Sequence, residues 1–234
     1  MKPSAYRAAV IAGTAVKLAY VGNSVGLASG TNCLGVTGPA GRGTPPPDYL
    51  DAYLKTFNAA SAVRNYSRGG ATLRTVDAGY IHADQGTLAD ADSNGVTLVM
   101  FACAINEALT DGYSTAQYAT DIAWMVDDAT ARGMDSVMVL ESYVEELPGY
   151  SGHDYESFIR QARTTAETLG LEVVDLYGPT WQAVDAAGGV AVDSGLYVDE
   201  GTEVHMNPTG SALLGANLVA WTKYPPLAAL RGGE

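Results

Sequence analysis

The stretch VKLAYVGNS, residues 16–24, is a short apolar run that ends in glycine, asparagine and serine. Its aliphatic and aromatic side chains are typical of a buried β-strand, and its polar end is typical of a tight turn. A strand that turns at this point leaves the Ser24 hydroxyl at the carboxyl edge of its sheet, where open α/β folds bind their ligands. The stretch therefore predicts a first strand and, directly after it, an exposed serine.

Further apolar runs with strand character alternate along the chain with segments of helical periodicity. The runs occupy residues 61–67, 96–104, 135–144 and 171–178. The helical segments, with apolar residues at three- and four-residue spacings, occupy residues 47–62, 115–133, 153–170 and 207–222. This alternation is typical of a parallel sheet covered by helices on both faces. It predicts the α/β class, with a three-layer α/β/α architecture around a mostly parallel five-stranded sheet.

The composition indicates one globular domain over residues 1–234, with residues 1–15 as an N-terminal extension. Hydrophobic residues make up 47% of the chain and charged residues 17%, which suits a compact core. The formal net charge of −13 repels polyphosphate backbones and anionic membrane surfaces, so we expect no nucleic-acid partner. Because no run reaches the ~18 apolar residues of a membrane span, we expect no membrane insertion either.

The N-terminal segment has two early cations and an apolar patch, which are features of a secretory signal. Lys17 interrupts the patch, and the first predicted strand begins at once. Cleavage after this patch would fall at the start of the first predicted strand. The segment is therefore interpreted as part of the mature chain and not as a signal peptide. The sequence predicts neither the cellular location nor the oligomeric state.

The two cysteines, Cys33 and Cys103, are too few for a disulfide scaffold. They show none of the CxxC or Cys/His spacings that are typical of structural metal sites, so we expect neither a metal nor another cofactor. A single disulfide between the two stays open at this point.

The string GNSVG, residues 22–26, matches the G-x-S-x-G pattern of the α/β-hydrolase nucleophile elbow. That fold needs several strands and an oxyanion loop before its elbow, and only 21 residues precede Gly22. The position of the string in the chain makes this the weaker interpretation.

Four short blocks, in chain order, link Ser24 to later parts of the sequence. They are GNS at residues 22–24, NYSRGGAT at 65–72, ACAINEA at 102–108 and VHMNPTG at 204–210. Together they resemble the four blocks of the SGNH, or GDSL-type, hydrolase family, over roughly residues 17–221. The resemblance implies a flavodoxin-like fold and a serine esterase or lipase-like activity.

The blocks depart from the family pattern at several positions. Asn23 stands where the family usually has the aspartate of G-D-S, and Ser67 replaces the first glycine of N-x-G-x-x-G-x-T. Ala104 replaces the glycine of G-x-N-D, and Thr202 occupies the position of the acid in D-x-x-H. The residues that match the pattern are Ser24, Asn65, Gly70, Thr72, Asn106, His205, Asn207 and Gly210.

The resemblance implies that Ser24 is the nucleophile and His205 its general base. A serine hydroxyl is a weak nucleophile at neutral pH, whereas histidine, with an ordinary pKa of about 6.5, both accepts a proton and returns it to the leaving alcohol. The negative oxygen of the intermediate needs hydrogen-bond donors. The resemblance assigns these to the backbone N–H groups of Ser24 and Gly70 and to the side-chain amide of Asn106.

The third member of the triad is not fixed by the sequence. A carboxylate normally orients the histidine ring, and Thr202 carries no charge. Asp199, Glu200 and Glu203 lie close along the chain, and a backbone carbonyl would also orient the ring in a Ser–His dyad. These alternatives stay open.

The resemblance predicts a metal-independent esterase that removes short acyl groups, often acetyl, from sugars or small esters through an acyl-serine intermediate. Tyr143, Tyr150 and Tyr155 favour carbohydrate esters over long-chain lipids, since tyrosine rings stack on sugars. One alternative is a non-catalytic SGNH-like module that binds glycans or builds a larger assembly such as a phage tail, and the departures at Asn23, Ala104 and Thr202 favour it. The other is an acyltransferase that uses the same residues.

Overall fold

The computed structural model describes residues 2–74, 80–81, 86–144, 154–198 and 205–223. Its strands are β1 (Lys17–Gly22), β2 (Ala62–Asn65), β3 (Ala71–Thr72), β4 (Tyr80–Ile81), β5 (Leu98–Ala102), β6 (Asp135–Leu140) and β7 (Glu172–Asp175). The main sheet has five strands in the order β2-β1-β5-β6-β7, and every neighbouring pair is parallel. The short strands β3 and β4 pair separately.

Helices connect these strands and cover the sheet. They are α1 (Pro3–Ile11), α2 (Ser24–Leu27), α3 (Pro46–Phe57), α4 (Thr87–Ser93), α5 (Ile105–Ala108), α6 (Thr115–Ala131), α7 (Tyr155–Thr168), α8 (Tyr177–Ala186) and α9 (Pro208–Lys223), with a short 3-10 helix at Val192–Ser194. Within the described ranges, none of these helices combines the length and the apolar character that a membrane crossing requires.

Alternate residues of the strands contribute to two separate hydrophobic cores. Leu18 and Tyr20 of β1 pack in the core that contains side chains of α1, α3 and α9. Ala19 and Val21 pack in the core that contains side chains of α4, α6 and α7. The middle strand β5 is buried at every position, as expected for a parallel strand covered on both faces. The predicted three-layer α/β/α architecture with a five-stranded sheet is therefore confirmed.

All five predicted strands are present, but four of them end before the predicted run does, and two of these runs show why. The run 96–104 is a strand only as far as Ala102, and the run 135–144 only as far as Leu140. Ala104 and Glu141, which lie beyond these ends, are still buried. The sequence stays apolar beyond the ends of β5 and β6 because the turns that follow these two strands are folded into the protein interior.

The N-terminal residues 1–15 are predicted as an extension, but most of them form a helix that belongs to the core. Helix α1 begins at Pro3. Proline suits the first turn of a helix, because N–H groups there have no acceptor within the helix and the missing N–H of proline costs no hydrogen bond. Tyr6 and Val10, one turn apart, are buried. Arg7 donates to both carboxylate oxygens of Glu172 on β7, at 2.8 and 2.7 Å, which holds α1 against the edge strand.

The disulfide that the sequence leaves open does not form. Cys33 and Cys103 are both free thiols, the first exposed and the second buried. Among the residues that the structure describes, no three histidine, cysteine or acidic side chains are grouped so that they would hold a metal ion.

Candidate active site

Ser24 is the first residue of α2, a helix of four residues that begins directly after β1. Asn23 caps this helix, since its side-chain oxygen accepts the Val25 N–H at 3.0 Å. The turn is tight enough that a Cβ atom at Gly26 would lie 2.3 Å from the Oγ of Ser67. Glycine at this position therefore lets the turn pack closely, and Ser24 lies partly exposed at the carboxyl edge of the sheet.

The sheet reverses its strand order at β1 and β5, which are neighbours. The chain passes from β1 outward to β2 on one side, and from β5 outward to β6 and β7 on the other. A crevice opens at the carboxyl ends of the strands at such a switch point, and ligands of open α/β folds bind there. Ser24 follows β1 and Asn106 follows β5, so both residues lie at this crevice.

His205 lies just before α9, in a segment that two backbone hydrogen bonds hold in place. The Val198 N–H donates to the His205 carbonyl, and the Asn207 N–H donates to the Leu196 carbonyl, both at 2.9 Å. The Asn207 side-chain oxygen then accepts N–H groups in the first turn of α9, including that of Gly210 at 3.0 Å. The position of the imidazole is therefore set by the start of a long, packed helix.

The structure brings Ser24 and His205 into direct contact. The Nε2 atom of His205 lies 2.9 Å from the Oγ atom of Ser24, although 181 positions separate the two residues in the chain. This is an ordinary hydrogen-bond distance. In the tautomer with a proton on Nδ1, Nε2 accepts the serine hydroxyl, which is the arrangement that a general base requires.

Asn106 is tied to the segment that contains Gly70. Its Nδ2 atom donates to the carbonyl of Ala71, the residue after Gly70, at 2.7 Å. An amide nitrogen carries two protons, so this bond uses one and orients the other. Gly70 itself has a φ of +72°, a left-handed conformation that favours glycine. The contributions of Gly70, Asn106 and the Ser24 N–H to an oxyanion hole stay predictions.

A further link joins the second sequence block to the turn that follows β1. The Asn65 amide donates to the Gly26 carbonyl at 3.0 Å, and its side-chain oxygen accepts the Ser67 N–H at 2.9 Å. Asn65 therefore fixes the segment after β2 against the turn that carries Ser24.

The groups considered for orienting His205 fall in one part of the chain. Asp199, Glu200, Thr202 and Glu203 all lie outside the described residues, so which of them faces the ring stays a prediction. The same holds for Tyr150. Tyr143 and Tyr155, by contrast, pack around Tyr177 with ring centroids 5.7 and 6.3 Å away. These two rings form an aromatic cluster, and their stacking on a sugar also stays a prediction.

Two buried glutamates lie beneath the site, and the sequence analysis did not single them out. Glu107 accepts the Leu73 N–H at 2.8 Å, and Glu141 accepts the Ile105 N–H at 3.0 Å. Burial raises the pKa of Glu107 to about 7 and that of Glu141 to about 8, although these hydrogen bonds oppose the rise. The signal available in the sequence was a glutamate that directly follows an apolar strand, at Glu141.

The raised pKa values of these two carboxyl groups predict how the free energy of unfolding depends on pH. Their pKa values in the folded chain lie above the ordinary glutamate value of about 4.3, so between pH 5 and pH 8 the unfolded chain releases protons that the folded chain keeps. The free energy of unfolding should therefore fall as the pH rises through this window. We expect Glu141→Gln to remove on the order of 3 kcal/mol of that fall, measured by thermal unfolding at pH 5, 6, 7 and 8.

Glu167→Gln provides the control for this measurement, because Glu167 is exposed on α7. It should leave the pH dependence of unfolding as it is in the wild type. A Glu141→Gln variant that follows the wild-type curve at all four pH values would show that Glu141 titrates normally.

Comparisons with known proteins identify the fold. No protein-family sequence model matches the chain, and no curated protein sequence matches it. Solved structures do: an acetylxylan esterase from Geobacillus stearothermophilus has a TM-score of 0.64 at 15% identity, covering 89% of this chain and 94% of its own. A carbohydrate acetylesterase from Sinorhizobium meliloti has a TM-score of 0.62 at 14% identity, covering 92% and 99%.

A third structure carries the name of the family that the four blocks resemble. It is a member of the lipolytic G-D-S-L family from Veillonella parvula, with a TM-score of 0.60 at 19% identity, covering 88% of this chain and 97% of its own. At these identities the similarity concerns the architecture, and it extends over nearly the whole chain. Together with the order of the sheet and the placement of the blocks at its edge, it confirms that the chain has the fold of the SGNH, or GDSL-type, hydrolases.

Proposed function

We propose that this protein is a serine esterase that hydrolyses short acyl esters, with O-acetylated carbohydrates as its substrate class. The observation that carries the proposal is the 2.9 Å contact between Ser24 Oγ and His205 Nε2. A serine hydroxyl needs a base within hydrogen-bond reach before it attacks an ester, and this contact supplies one at the ligand-binding edge of the sheet.

The first half of the reaction is acylation. The Ser24 oxygen forms a bond to the ester carbonyl carbon while its proton passes to Nε2 of His205. The carbonyl oxygen becomes negatively charged in a tetrahedral intermediate. When this intermediate collapses, the bond to the alcohol oxygen breaks, and His205 returns the proton to the leaving alcohol.

Stabilisation of the negative oxygen falls to three donors, the N–H groups of Ser24 and Gly70 and the amide of Asn106. The bond from Asn106 to the Ala71 carbonyl supports this role, because it fixes the orientation of the amide before the substrate arrives. Donors that are already oriented need no reorganisation as charge develops, which makes this kind of stabilisation effective.

The second half releases the acid. A water molecule gives a proton to His205 and attacks the acyl-Ser24 carbonyl carbon, and the same donors stabilise the second negative oxygen. The bond between the acyl carbon and the Ser24 oxygen then breaks, and His205 returns the proton to that oxygen. The free enzyme and a carboxylic acid result.

The substrate class is supported by two of the structurally similar proteins. One is an acetylxylan esterase and the other a carbohydrate acetylesterase, and each covers most of this chain. Both act on acetyl esters of carbohydrates by their names. We extend this class to the present chain as part of the proposal.

A p-nitrophenyl ester series from acetyl to long acyl chains tests the proposal. We expect kcat/KM to be highest for the acetyl ester and to fall by at least about 10-fold by the eight-carbon acyl chain, because a site shaped for short acyl groups does not accommodate the additional methylenes. The release of p-nitrophenol at 405 nm measures this. If kcat/KM were highest for long acyl chains, the protein would be a lipase-like enzyme and not an acetylesterase. If no ester of the series were hydrolysed, the result would favour a non-catalytic module.

Covalent labelling provides a second, independent measurement. An alkyl phosphonate ester should add one phosphonyl group to the intact protein, and peptide mapping should place it on Ser24. A label on another residue, or none on a protein that hydrolyses esters, would contradict an acyl-Ser24 mechanism. Acetylated xylan, with released acetate as the readout, then tests the carbohydrate class directly.

A further inference from the structure

We propose that Glu141 is a positioning residue whose single carboxyl group holds the turn that carries the nucleophile against the turn that carries Asn106. The proposal rests on the proposed function, because it assigns Glu141 a part in assembling that same site. Glu141 belongs to none of the four sequence blocks, and its role follows from its contacts.

The first contact is with the Asn106 turn. Glu141 directly follows β6 and is 3% exposed. Its Oε2 atom accepts the Ile105 N–H at 3.0 Å. Ile105 is the first residue of α5 and Asn106 is the second. Glu141 therefore fixes the start of the short helix from which the Asn106 amide projects.

The second contact is with the turn before Ser24. The oxygen of the Asn23 side chain accepts the Val25 N–H, which leaves the amide nitrogen on the opposite side. That nitrogen is buried and has no hydrogen-bond partner among the described residues, and the Asn23 side chain lies close enough to Glu141 to lower the pKa of its carboxyl group. One carboxyl group thus lies between the residue before Ser24 and the residue before Asn106.

This arrangement explains why an amide occupies position 23. An aspartate there would place a second carboxyl group against Glu141 in the protein interior, where two carboxyl groups that share a site do not both ionise. The amide avoids a second buried acid and supplies a donor instead. The acid that the family pattern has at position 23 is therefore replaced by an acid that approaches the same place from β6.

Glu107 connects α5 to the segment that contains Gly70, which is the third segment expected to supply a donor to the oxyanion. Its Oε1 atom accepts the Leu73 N–H at 2.8 Å, while the adjacent Asn106 donates to the Ala71 carbonyl. Both bonds attach α5 to the residues that follow Gly70. The three segments expected to surround the oxyanion are thus joined through α5 and Glu141.

A role confined to stability does not account well for Glu141. Burying a carboxyl group is unfavourable, and a well-packed apolar side chain in its place is often neutral or stabilising. Only a polar group, however, accepts the Ile105 N–H and faces the Asn23 amide at the same time. The site thus keeps an unfavourable residue where it orders two functional turns.

Three variants test this role with p-nitrophenyl acetate as the probe. Glu141→Leu should lower kcat by about 10- to 100-fold while KM changes by less than about threefold, since displaced oxyanion donors affect the transition state more than the bound ester. Asn23→Asp should lower kcat by a similar factor. The double variant Asn23→Asp/Glu141→Gln exchanges the acid and the amide, so it should recover at least half of the loss on a logarithmic scale.

Val137→Ala is the matched control, because Val137 is a fully buried residue of the same strand whose apolar side chain makes no hydrogen bond to either turn. It should lower Tm and leave kcat within about twofold. Glu141→Leu with the wild-type kcat, or a double variant no more active than Asn23→Asp, would overturn the proposal.

The same variants in a Ser24→Ala background separate this proposal from the proposed function. Thermal unfolding there needs no activity, and it reports whether Asn23 and Glu141 interact. A non-additive change in Tm supports the contact even if the protein hydrolyses no ester. Additive changes overturn the contact even if the esterase activity is confirmed.

Discussion

Ser24→Ala should lower kcat for p-nitrophenyl acetate by about 10⁵- to 10⁶-fold. The substitution removes the atom that forms the bond to the acyl carbon, and the donors around the oxyanion do not replace a nucleophile. The fold should be unaffected, because the Ser24 carbonyl still accepts the Ala28 N–H within α2. We therefore expect Tm to stay within about 2 °C of the wild type, and phosphonate labelling to disappear.

Ser93→Ala is the matched control for this measurement. Ser93 is an exposed serine at the end of α4 whose hydroxyl donates only to the Asp90 carbonyl, at 2.8 Å. Its removal should leave kcat within about twofold. Retention of about a tenth or more of the wild-type kcat by Ser24→Ala would assign the nucleophile to another residue.

The fold was largely predictable because its strands are buried on both faces. Parallel strands that are covered by helices show continuous apolar runs, and the five runs stand out between helical segments. The LVMFA run of β5 is the clearest case, since every residue in it is buried. The position of Ser24 at the sheet edge was predictable for the same reason, because an apolar run that stops at glycine and asparagine marks the end of a strand.

Helix α1 was not predictable in the same way, because its place depends on residues far along the chain. The pair Tyr6 and Val10 is a short apolar pattern by itself, and Arg7 interrupts it. In the folded chain Arg7 pairs with Glu172 and lies 5.3 Å from the ring centroid of Trp221. These tertiary contacts, and not the local pattern, stabilise the helix against the core.

The buried glutamates escaped prediction for a related reason. A glutamate in a sequence is most often a solvated surface residue, and only the tertiary structure shows that Glu107 and Glu141 have lost contact with water. The departure at Asn23 was visible in the sequence, but its explanation was not. The group that compensates for it follows β6, more than a hundred residues later.

His205→Ala should lower kcat by about 10⁵- to 10⁶-fold as well, because it removes the group that takes the Ser24 proton. His205→Gln should be as inactive, since an amide accepts a hydrogen bond but carries no proton from one oxygen to another. This variant shows whether proton transfer, and not the hydrogen bond alone, is required. His82→Ala and His153→Ala replace the only other histidines of the chain, and both should keep kcat within about threefold.

The double variant Ser24→Ala/His205→Ala gives the sharper form of this prediction. Two residues that contact each other at 2.9 Å and act in one proton transfer form a unit. Once one of them has been replaced, replacing the other should therefore lower kcat little further. We expect kcat of the double variant to lie within about threefold of either single variant. Losses that multiply would show that Ser24 and His205 act in separate steps, and the proposed mechanism would then be wrong. Added imidazole offers a complementary test, because His205 is partly exposed: it should restore measurable activity to His205→Ala and none to Ser24→Ala.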